Sequence, residues 1–394
     1  MIKSFFEASE KCGLDPLKIA FSSVSEIYGF SDEELKDFKF QIITRAFRLH
    51  YDNNVFFRES CQAKSVSPED IKGFDDLVKI PLIPIELYKA NDSHKLLSVG
   101  LNQVELEMRS TGTSGIPSVS RRCSDTVDGA VLSIYAMYRE FFKISKGAGL
   151  YLCPSTEEIP EMGMIKALNM LAGLLDTHRF MVRNESLVPE DALEQLETWG
   201  KQFTRHIIGP PFLINRFIRY LKATNQKIKL DKSSYIITLG GWKRFSGEML
   251  SREEFNQECI EFLGVEPHQI RDIYALVESN VVAIDDEYGE KHATPFVHFS
   301  VRDPKQLDRE VEVGQVGQLA ILDPLARSTP GFMLTEDLVK LLPGKSKSGR
   351  CGQRISYVMR LPESKEFGCC AVNLDRRLDE IEEQVQQNAC PVIS

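Results

Sequence analysis

The sequence predicts an α/β protein in which parallel strands alternate with helices. Short apolar runs at 150–153, 206–208 and 235–238 each end at a glycine or proline turn, and an amphipathic stretch follows each turn. Repeated units of strand, turn and helix are typical of parallel sheets. Ligands in such folds bind beyond the carboxyl ends of the strands. The turns at 209–211 and 240–241 are therefore the first places to look for a site.

Composition indicates an ordinary globular protein and excludes several classes. The chain has 394 residues, 42% of them hydrophobic, and its 48 basic and 57 acidic residues give a net charge of −9. This length allows two or three domains of about 150 residues each. The acidic balance argues against a nucleic-acid-binding protein, which carries a basic footprint. No apolar run approaches the roughly 20 residues that span a bilayer. Because the N-terminus also lacks the apolar core of a signal peptide, we expect a cytoplasmic protein.

Cysteine and histidine are spaced without a metal-binding pattern. The nine cysteines form no C-x-x-C pair, and the seven histidines include no H-E-x-x-H sequence. A zinc framework is therefore not expected. An odd number of scattered cysteines favours reduced thiols, most of them in the core.

Helices are predicted for the N-terminal part, residues 1–75. Residues 31–34, Ser-Asp-Glu-Glu, form a capping box, in which the serine and glutamate side chains satisfy free backbone N–H groups. Apolar residues then recur at helical spacing from Leu35 to Leu49. The segment 80–84 is expected to be extended, because a proline restricts the residue before it.

The rest of the chain predicts further elements in order. Helices are expected near 162–174, 212–221 and 253–262, after the three apolar runs. Antiparallel strands of a β-rich subdomain are expected at 294–303 and 317–323, and a short amphipathic helix at 374–385.

The sharpest local feature is the segment from Arg109 to Pro117. Strands are expected at 104–108 and 118–122, so this segment is a loop that joins them. It lacks the Gly-Lys-Ser/Thr ending of a Walker A loop. Glycine N–H groups and hydroxyls converge well on an anion, which predicts a phosphate site; a flexible hairpin rich in serine and glycine is the alternative. The candidate residues are Ser110, Thr111, Gly112, Thr113, Ser114 and Gly115.

This loop resembles the phosphate-binding loop of adenylate-forming enzymes, the superfamily of acyl- and aryl-CoA ligases. The segment 274–278 is similar to a second segment of that superfamily, Tyr-Gly-x-Thr/Ser-Glu. The resemblance implies that Tyr274 packs on adenine and that Glu278 helps to hold Mg²⁺, for which a carboxylate is a suitable hard ligand. Ala275 and Val277 depart from the pattern, so only the tyrosine and the glutamate carry over.

Two later segments resemble the superfamily in the same order. Residues 335–337, Thr-Glu-Asp, are similar to the Thr-Gly-Asp segment, whose aspartate binds the ribose hydroxyls. The resemblance gives this role to Asp337, with Glu336 in place of the glycine. Residues 349–350, Gly-Arg, resemble the hinge that precedes the C-terminal domain, and Arg350 is a further candidate for contact with the nucleotide.

The finer match is to the acyl-protein synthetase (LuxE-like) family, which is related to phenylacetate-CoA ligases. The resemblance runs from about 51 to 375 and includes the Gly-Gly-Trp-Lys segment at 240–243. It implies that Gly240 and Gly241 lie near the adenine and ribose. Lys243 follows a predicted strand end and could offset charge on the substrate carboxylate or the α-phosphate. An ordinary surface lysine is the alternative.

The C-terminal segment is too short for a complete mobile domain. Only 45 of the 394 residues follow Gly349, whereas typical adenylate-forming ligases carry a whole further domain there. The sequence therefore predicts an adenylating core at 1–342 and a short hinge and tail at 343–394. The acyl-protein synthetase branch is similarly truncated and uses an internal cysteine as acyl acceptor.

Cys369 resembles that acceptor, and Cys370 and Cys390 are the alternatives. A thiolate there would attack an acyl-adenylate and release AMP, and Lys365 would favour the thiolate. The prediction is thus a ligase that uses ATP and Mg²⁺ to activate a carboxylic acid and transfers the acyl group to a thiol. The resemblance implies a fatty acid as substrate and an acyl-accepting protein, such as a reductase or a carrier, as partner. An oligomer is expected.

Two other functions remain open at this point. The first is a CoA ligase of the phenylacetate type. The second is a nucleotide-binding protein with reduced catalysis, which the substitutions Ala275, Val277 and Glu336 suggest.

Overall fold

The computed structural model describes residues 6–7, 11–13, 15–110, 117–144, 146–184, 186–241 and 250–361. The α-helices that these ranges contain in full are α1 (Pro16–Ala20), α2 (Val24–Ile27), α3 (Asp32–Asn53), α4 (Val55–Ala63), α5 (Ser124–Phe142), α6 (Gly163–Ala172), α7 (Pro189–Trp199), α8 (Pro211–Ala223) and α9 (Arg252–Leu263). The strands in the same ranges are β1 (Ile83–Pro84), β2 (Leu106–Arg109), β3 (Val119–Arg122), β4 (Ala148–Tyr151), β5 (Thr177–Phe180), β6 (Val182–Arg183), β7 (Ser186–Leu187), β8 (Arg205–Gly209), β9 (Ile236–Leu239), β10 (Ile270–Ala275), β11 (Val282–Asp285), β12 (Lys291–Ala293), β13 (His298–Asp303), β14 (Gln306–Glu310), β15 (Val316–Leu322), β16 (Phe332–Leu341) and β17 (Arg354–Arg360).

The chain divides into two structural units. Within the ranges described, the first unit is drawn from Met1–Met108, Ser118–Lys143 and Tyr274–Lys365. The second is drawn from Arg109–Pro117 and Ile144–Ile273. The predicted boundary between a core at 1–342 and a tail at 343–394 stays a prediction.

The second unit is the predicted parallel α/β part. β4 pairs in parallel with β5 and with β8, β8 pairs in parallel with β9, and β9 pairs in parallel with β10. Helices α6 to α9 alternate with these strands along the chain. The prediction of α/β units is therefore confirmed, and the three predicted helices differ from α6, α8 and α9 only by one or two residues at their ends.

Helix α8 shows why this unit folds as it does. Pro211 occupies its first turn, where the missing N–H would have no intrahelical partner anyway. One side of the helix is apolar, and burying each such side chain stabilises the fold by roughly 1.5–3 kcal/mol. The residues that α8 contributes to the core of this unit are Phe212, Leu213, Ile214, Phe217, Ile218 and Leu221.

The first unit contains an antiparallel sheet in the order β14, β13, β15, β16, β17, β12 and β11, with β1 pairing in parallel beside β16. The two strands predicted in sequence are β13 and β15, and they pair antiparallel as expected. The observed β13 begins at His298, four residues later than predicted, because Thr294 and its neighbours form a turn with Val297 N bonded to Thr294 O. Strands β2 and β3 form a separate two-stranded sheet.

The N-terminal helices pack against this antiparallel sheet. The capping box at the start of α3 is present: Glu34 N donates to Ser31 Oγ at 3.2 Å, and Ser31 N donates to Glu34 Oε2 at 3.0 Å. The ring of Phe47 in α3 packs edge-on against Phe332 of β16, with centroids 6.0 Å apart. Phe57 of α4 stacks on the same ring at 5.6 Å. These contacts join the N-terminal helices to the longest strand of the unit.

Two remaining expectations concern the termini and membranes. The helix predicted at 374–385 lies outside the described residues. Among the described helices, none combines the length and the apolar character that crossing a bilayer requires.

Candidate active site

Tyr274 and Asp337, the residues predicted to contact adenine and ribose, are in direct contact. Tyr274 lies near the end of β10, and Asp337 lies in the middle of β16. The tyrosine hydroxyl donates to Asp337 Oδ2 at 2.6 Å. Asp337 is only 8% exposed. Burial raises the pKa of this carboxyl group, and the hydrogen bond from Tyr274 opposes that rise.

The carboxylate of Asp337 keeps enough acceptor capacity for ribose. An ionised carboxylate has about four lone-pair positions, and the Tyr274 hydroxyl occupies one of them. The tyrosine also fixes the orientation of the carboxylate, so less order has to be gained on binding. The pair therefore fits two vicinal hydroxyl groups, as the resemblance implies.

The neighbouring threonine holds the backbone that carries Asp337. Thr335 Oγ1 donates to the carbonyl of Leu319 in β15 at 2.8 Å, and Asp337 N donates to Thr335 Oγ1 at 3.1 Å. A hydroxyl both donates and accepts, so the Thr335 side chain makes both hydrogen bonds and fixes the backbone that leads to the Asp337 carboxylate. This explains why a threonine stands two residues before the ribose-binding position.

Glu336, which stands where the superfamily has glycine, belongs to a buried charge cluster. Its side chain is 6% exposed, and Oε2 accepts from Arg360 at 2.7 Å and lies 3.9 Å from Lys89 Nζ. Arg360 ends β17, and Leu361 N donates to the carbonyl of Glu336 at 2.8 Å. The glutamate thus binds the last residues before the C-terminal tail, a role that sequence reasoning missed because its partners are 24 and 247 residues away.

Glu278 lies on an irregular segment between β10 and β11 that is clamped on two sides. On one side, Arg122 Nη2 in β3 donates to the carbonyls of Val277 and Ser279 at 2.9 and 3.0 Å. On the other side, Asp323 Oδ2 accepts from Asn280 N at 3.0 Å. Both ends of the clamp are buried charged groups, which bind backbone more strongly than neutral partners do.

The carboxylate of Glu278 itself is uncommitted. Within the described part of the chain it makes no hydrogen bond and no ion pair, whereas the carbonyls of Val277 and Ser279 and the N–H of Asn280 beside it are all hydrogen-bonded. A half-buried carboxylate on a fixed backbone suits a hard cation such as Mg²⁺. The donor set therefore fits the metal role that the resemblance implies.

The phosphate loop is described only at its edges. Ser110 follows β2, and Arg109 N donates to the carbonyl of Glu161 at 3.1 Å. The flanking strands β2 and β3 are present as predicted. Of the other predicted site residues, Thr111, Gly112, Thr113, Ser114, Gly115, Lys243 and Cys369 lie outside the described residues.

Gly240 and Gly241 form the turn that ends β9 in the second unit. Their φ angles are +86° and +68°, a region that glycine adopts without strain. No described atom lies within 4 Å of the place where a Cβ of Gly241 would sit. Two residues before the turn, Thr238 Oγ1 donates to Asp272 Oδ1 at 2.6 Å, which ties the ends of β9 and β10 together. The turn therefore has open space beside a fixed strand edge.

Arg350, also predicted to contact the nucleotide, is engaged elsewhere. Its Nε donates to Glu140 Oε1 at 2.8 Å, and its Nη1 lies 3.1 Å from Glu287 Oε2. The guanidinium also stacks over Phe141 at 4.8 Å. These contacts hold the loop after β16 against α5. They do not include Tyr274 or Asp337, so the nucleotide role of Arg350 stays a prediction.

A second polar cluster closes the loop before Arg350. His292 Nε2 lies 3.0 Å from Asp286 Oδ2, and the hydroxyl of Ser346 lies 2.9 Å from Glu290 Oε2 and 3.2 Å from His292 Nε2. Arg354 pairs with Glu290 at 2.9 Å. Sequence spacing gave no signal for this cluster, because Ser346 comes from a different loop. Its hydrogen bonds and ion pair make it a structural tie.

The described cysteines do not resemble nucleophiles. Cys61, Cys153 and Cys259 are buried, and burial raises the pKa of the Cys61 thiol to about 12. A thiol that stays protonated reacts slowly, since the thiolate is the nucleophile. Cys12 is exposed, and Cys351 is half-buried with Sγ directed at the carbonyl of Ile27.

Comparison with known proteins gives the chain a family. Residues 18–378 match the acyl-protein synthetase, LuxE, family. The chain is 27% identical over 350 residues to a long-chain-fatty-acid–luciferin-component ligase of Aliivibrio fischeri, covering 86% of this chain and 89% of that protein. It is 28% identical over 346 residues to the ligase of the same name from Vibrio harveyi, covering 86% of this chain and 88% of that one.

Solved structures show the fold. A 2-hydroxyisobutyryl-CoA ligase in complex with 2-HIB-AMP and CoA, in the thioesterification state, aligns with a TM-score of 0.67 at 14% identity over 87% of this chain and 72% of that chain. An open conformation of the same enzyme aligns with a TM-score of 0.66 over 87% and 78%. The predictions of fold class, family and ligase activity are thereby confirmed, and the individual site residues stay predictions. This chain belongs to the acyl-protein synthetase (LuxE) family.

Proposed function

We propose that this protein activates a long-chain fatty acid with ATP and transfers the acyl group to a cysteine thiol, first its own and then that of a partner protein. The substrate class is taken from the names of the two relatives, which are long-chain-fatty-acid ligases. The observation that carries the proposal is the 2.6 Å contact between Tyr274 and Asp337, which prepares a carboxylate for a ribose.

In the first step, an oxygen of the fatty carboxylate bonds to the α-phosphorus of ATP, and the bond from that phosphorus to pyrophosphate breaks. Asp337 binds the ribose hydroxyls and Tyr274 packs on the adenine. Ser110 to Gly115 donate hydrogen bonds to the phosphate oxygens, and Lys243 offsets their charge. Such positioned donors supply most of the stabilisation in phosphoryl chemistry.

Glu278 supplies the metal ligand for this step. Its uncommitted carboxylate would hold Mg²⁺, which neutralises charge on the phosphate oxygens. The cofactors of the proposal are thus ATP as co-substrate and Mg²⁺ as the resident cation.

In the second step, the sulfur of Cys369 bonds to the acyl carbon, and the bond from that carbon to AMP breaks. The thiol proton is lost to solvent before the attack, which Lys365 favours by its charge. AMP leaves and a thioester remains on the protein. The acyl group then passes to a thiol of an acceptor protein, such as a reductase or a carrier: the acceptor sulfur bonds to the acyl carbon, the bond from that carbon to the sulfur of Cys369 breaks, and Cys369 leaves as the thiolate.

The length of the tail is compatible with this transfer. Leu361 is bonded to the backbone of Glu336, next to Asp337. Eight further residues reach Cys369, and an extended chain of that length spans at most about 29 Å. A tether of this length therefore allows a thiol at position 369 to reach the proposed ribose-binding carboxylate.

Pyrophosphate exchange tests the first step. The purified chain is incubated with labelled pyrophosphate, ATP and Mg²⁺, and carboxylic acids of increasing length are added one at a time. We expect exchange that depends on the acid and is strongest with long-chain fatty acids. Exchange with none of the acids would contradict the proposal. In a parallel reaction with added CoA, free acyl-CoA as the main product would favour the CoA-ligase alternative instead.

A further inference from the structure

Arg122 in β3 belongs to none of the sequence motifs described above. We infer that Arg122 is a positioning residue that sets the place of the metal ligand Glu278 by holding the backbone on both sides of it. This inference rests on the proposed function of Glu278 and names the group that controls it.

The contacts of Arg122 bracket the glutamate. Its Nη2 donates to the carbonyl of Val277 at 2.9 Å and to the carbonyl of Ser279 at 3.0 Å, one residue before and one residue after Glu278. Its Nε donates to Ser120 Oγ at 3.3 Å, which orients the guanidinium from its own strand. A planar guanidinium presents donors in a fixed fork, so two carbonyls can share one end of it.

The acidic groups near the buried Arg122 favour its positively charged form. Arg122 is 7% exposed, and burial lowers its pKa to about 10, while Asp323 and Glu278 favour the charged form. Asp323 in turn accepts from Asn280 N and Ser279 Oγ, at 3.0 and 3.3 Å. The segment is therefore fixed by a buried cation through its carbonyls and by a buried anion through its N–H and hydroxyl groups.

These hydrogen bonds engage the backbone on both sides of Glu278, and the Glu278 carboxylate itself makes no hydrogen bond or ion pair to a described residue. The backbone around Glu278 is not part of a β-strand, so no strand-to-strand hydrogen bonds fix it. The hydrogen bonds to Arg122 and Asp323 take that role. Metal ligands are commonly tuned by the groups that hold them. Arg122 also lies only five residues after Pro117, the last residue of the predicted phosphate loop, so the proposed phosphate donors and Arg122 belong to one short stretch of chain.

The test compares ATP binding with and without metal by calorimetry. In the wild type, the ratio of ATP affinity in Mg²⁺ to that in EDTA measures the contribution of the cation. Arg122→Lys keeps the positive charge but loses the planar guanidinium group that donates to both carbonyls. We expect it to lower this ratio about tenfold, the typical effect of a charged hydrogen bond, and to leave the affinity in EDTA within about twofold.

Two further variants separate positioning from general damage. Glu278→Gln is expected to lower the ratio by a similar factor, and the double variant is expected to lose no more than either single one, since both act through the same carboxylate. Arg302→Lys is the matched control, because Arg302 is also a buried arginine that donates to two carbonyls, those of Val78 and Leu307. It should leave the ratio unchanged.

Three outcomes would overturn the inference. These are an equal loss of affinity with and without metal in Arg122→Lys, independent losses in the double variant, or an unchanged ratio in Glu278→Gln. If Arg122→Lys does not fold, Ser120→Ala replaces it and should lower the ratio in the same direction; an unchanged ratio there also contradicts the inference. A failure of pyrophosphate exchange in the wild type would count against the proposed function alone, because these measurements need only nucleotide binding.

Discussion

The predicted ribose contact of Asp337 depends on a hydrogen bond that orients the carboxylate as well as on its charge. The residue is buried, and the Tyr274 hydroxyl orients it before any ligand arrives. Both residues were found from sequence because each stands in a short local motif. The clamp around Glu278 was not, since Arg122 is 155 residues away from one of the carbonyls that it binds. Local sequence patterns predict candidate ligand groups, whereas contacts from distant residues that fix those groups leave no local pattern.

The first prediction concerns the ribose contact. Asp337→Asn should lower kcat/KM for ATP by tenfold to about a hundredfold, because it weakens hydrogen bonds to a charged acceptor. Tyr274→Phe, which removes only the orienting hydroxyl, should have a smaller effect in the same direction. Steady-state AMP release at varied ATP measures both. The exposed Asp308→Asn is the control, and an unchanged kcat/KM in Asp337→Asn would argue against the ribose assignment.

The second prediction concerns His50 and pH. Its Nε2 faces the carbonyl of Ala326 at 2.8 Å and its Nδ1 faces Ser98 Oγ at 2.8 Å. A carbonyl only accepts, so Nε2 carries a proton. Burial lowers the pKa of His50 to about 4. The unfolded chain, with an ordinary pKa near about 6.5, binds the proton first as the pH falls.

The stabilisation from neutral His50 is therefore complete above about pH 6.5 and is lost as the pH falls toward 4, by about 2 kcal/mol at pH 5. Chemical denaturation at pH 7, 6 and 5 measures this loss. His50→Gln cannot gain the proton, so its deficit in unfolding free energy relative to wild type should shrink on acidification. The exposed His94→Gln should show no such convergence. A constant deficit for His50→Gln would contradict the assignment.

The pairing of strands β16 and β17 brings the last described residues of the chain beside the predicted ribose contact, Asp337. Asp337 and Arg360 are directly opposite each other in the pairing of these strands. Glu336, one residue away, binds Arg360 and lies near Lys89. The replacement of the usual glycine by glutamate is thus explained by a charge cluster at the root of the tail.

The third prediction concerns this cluster. Glu336→Gln removes one ion-pair partner from each of two cations, so the free energy of unfolding should fall by about 2 kcal/mol. The exposed Glu312→Gln is a matched control, and a surface change of this kind usually stays within about 0.5 kcal/mol. Equal unfolding free energies for the two variants would show that the cluster contributes no stability.

The helices and strands that the sequence predicted well are those with a clear hydrophobic periodicity or with a glycine or proline turn at one end. The strand, turn and helix units ending at Gly209 and Gly240 are present, with their helices close to the predicted ranges. Strand β16 was recognised only as a motif, because its first six residues are all buried and therefore show no alternation. A strand buried on both faces cannot be told from another apolar run by periodicity alone.

The molecule as a whole combines a parallel α/β unit with an antiparallel unit, and the sequence predicts both. The parallel unit carries the turn at Gly240 and Gly241, and the antiparallel unit carries Tyr274, Glu278 and Asp337. The resemblance from about 51 to 375 agrees with the family match at 18–378.

The most direct test of this account is to trap the acyl group on the protein. The chain is incubated with labelled long-chain fatty acid, ATP and Mg²⁺, and the label bound to protein is measured before and after hydroxylamine, which cleaves thioesters. We predict protein-bound, hydroxylamine-sensitive label that is lost in Cys369→Ser and kept in the exposed control Cys12→Ser. Label that persists in Cys369→Ser and disappears in Cys370→Ser or Cys390→Ser would identify that other cysteine as the acyl acceptor. Fatty acyl-AMP formed without any protein-bound label would contradict transfer to a thiol of this chain.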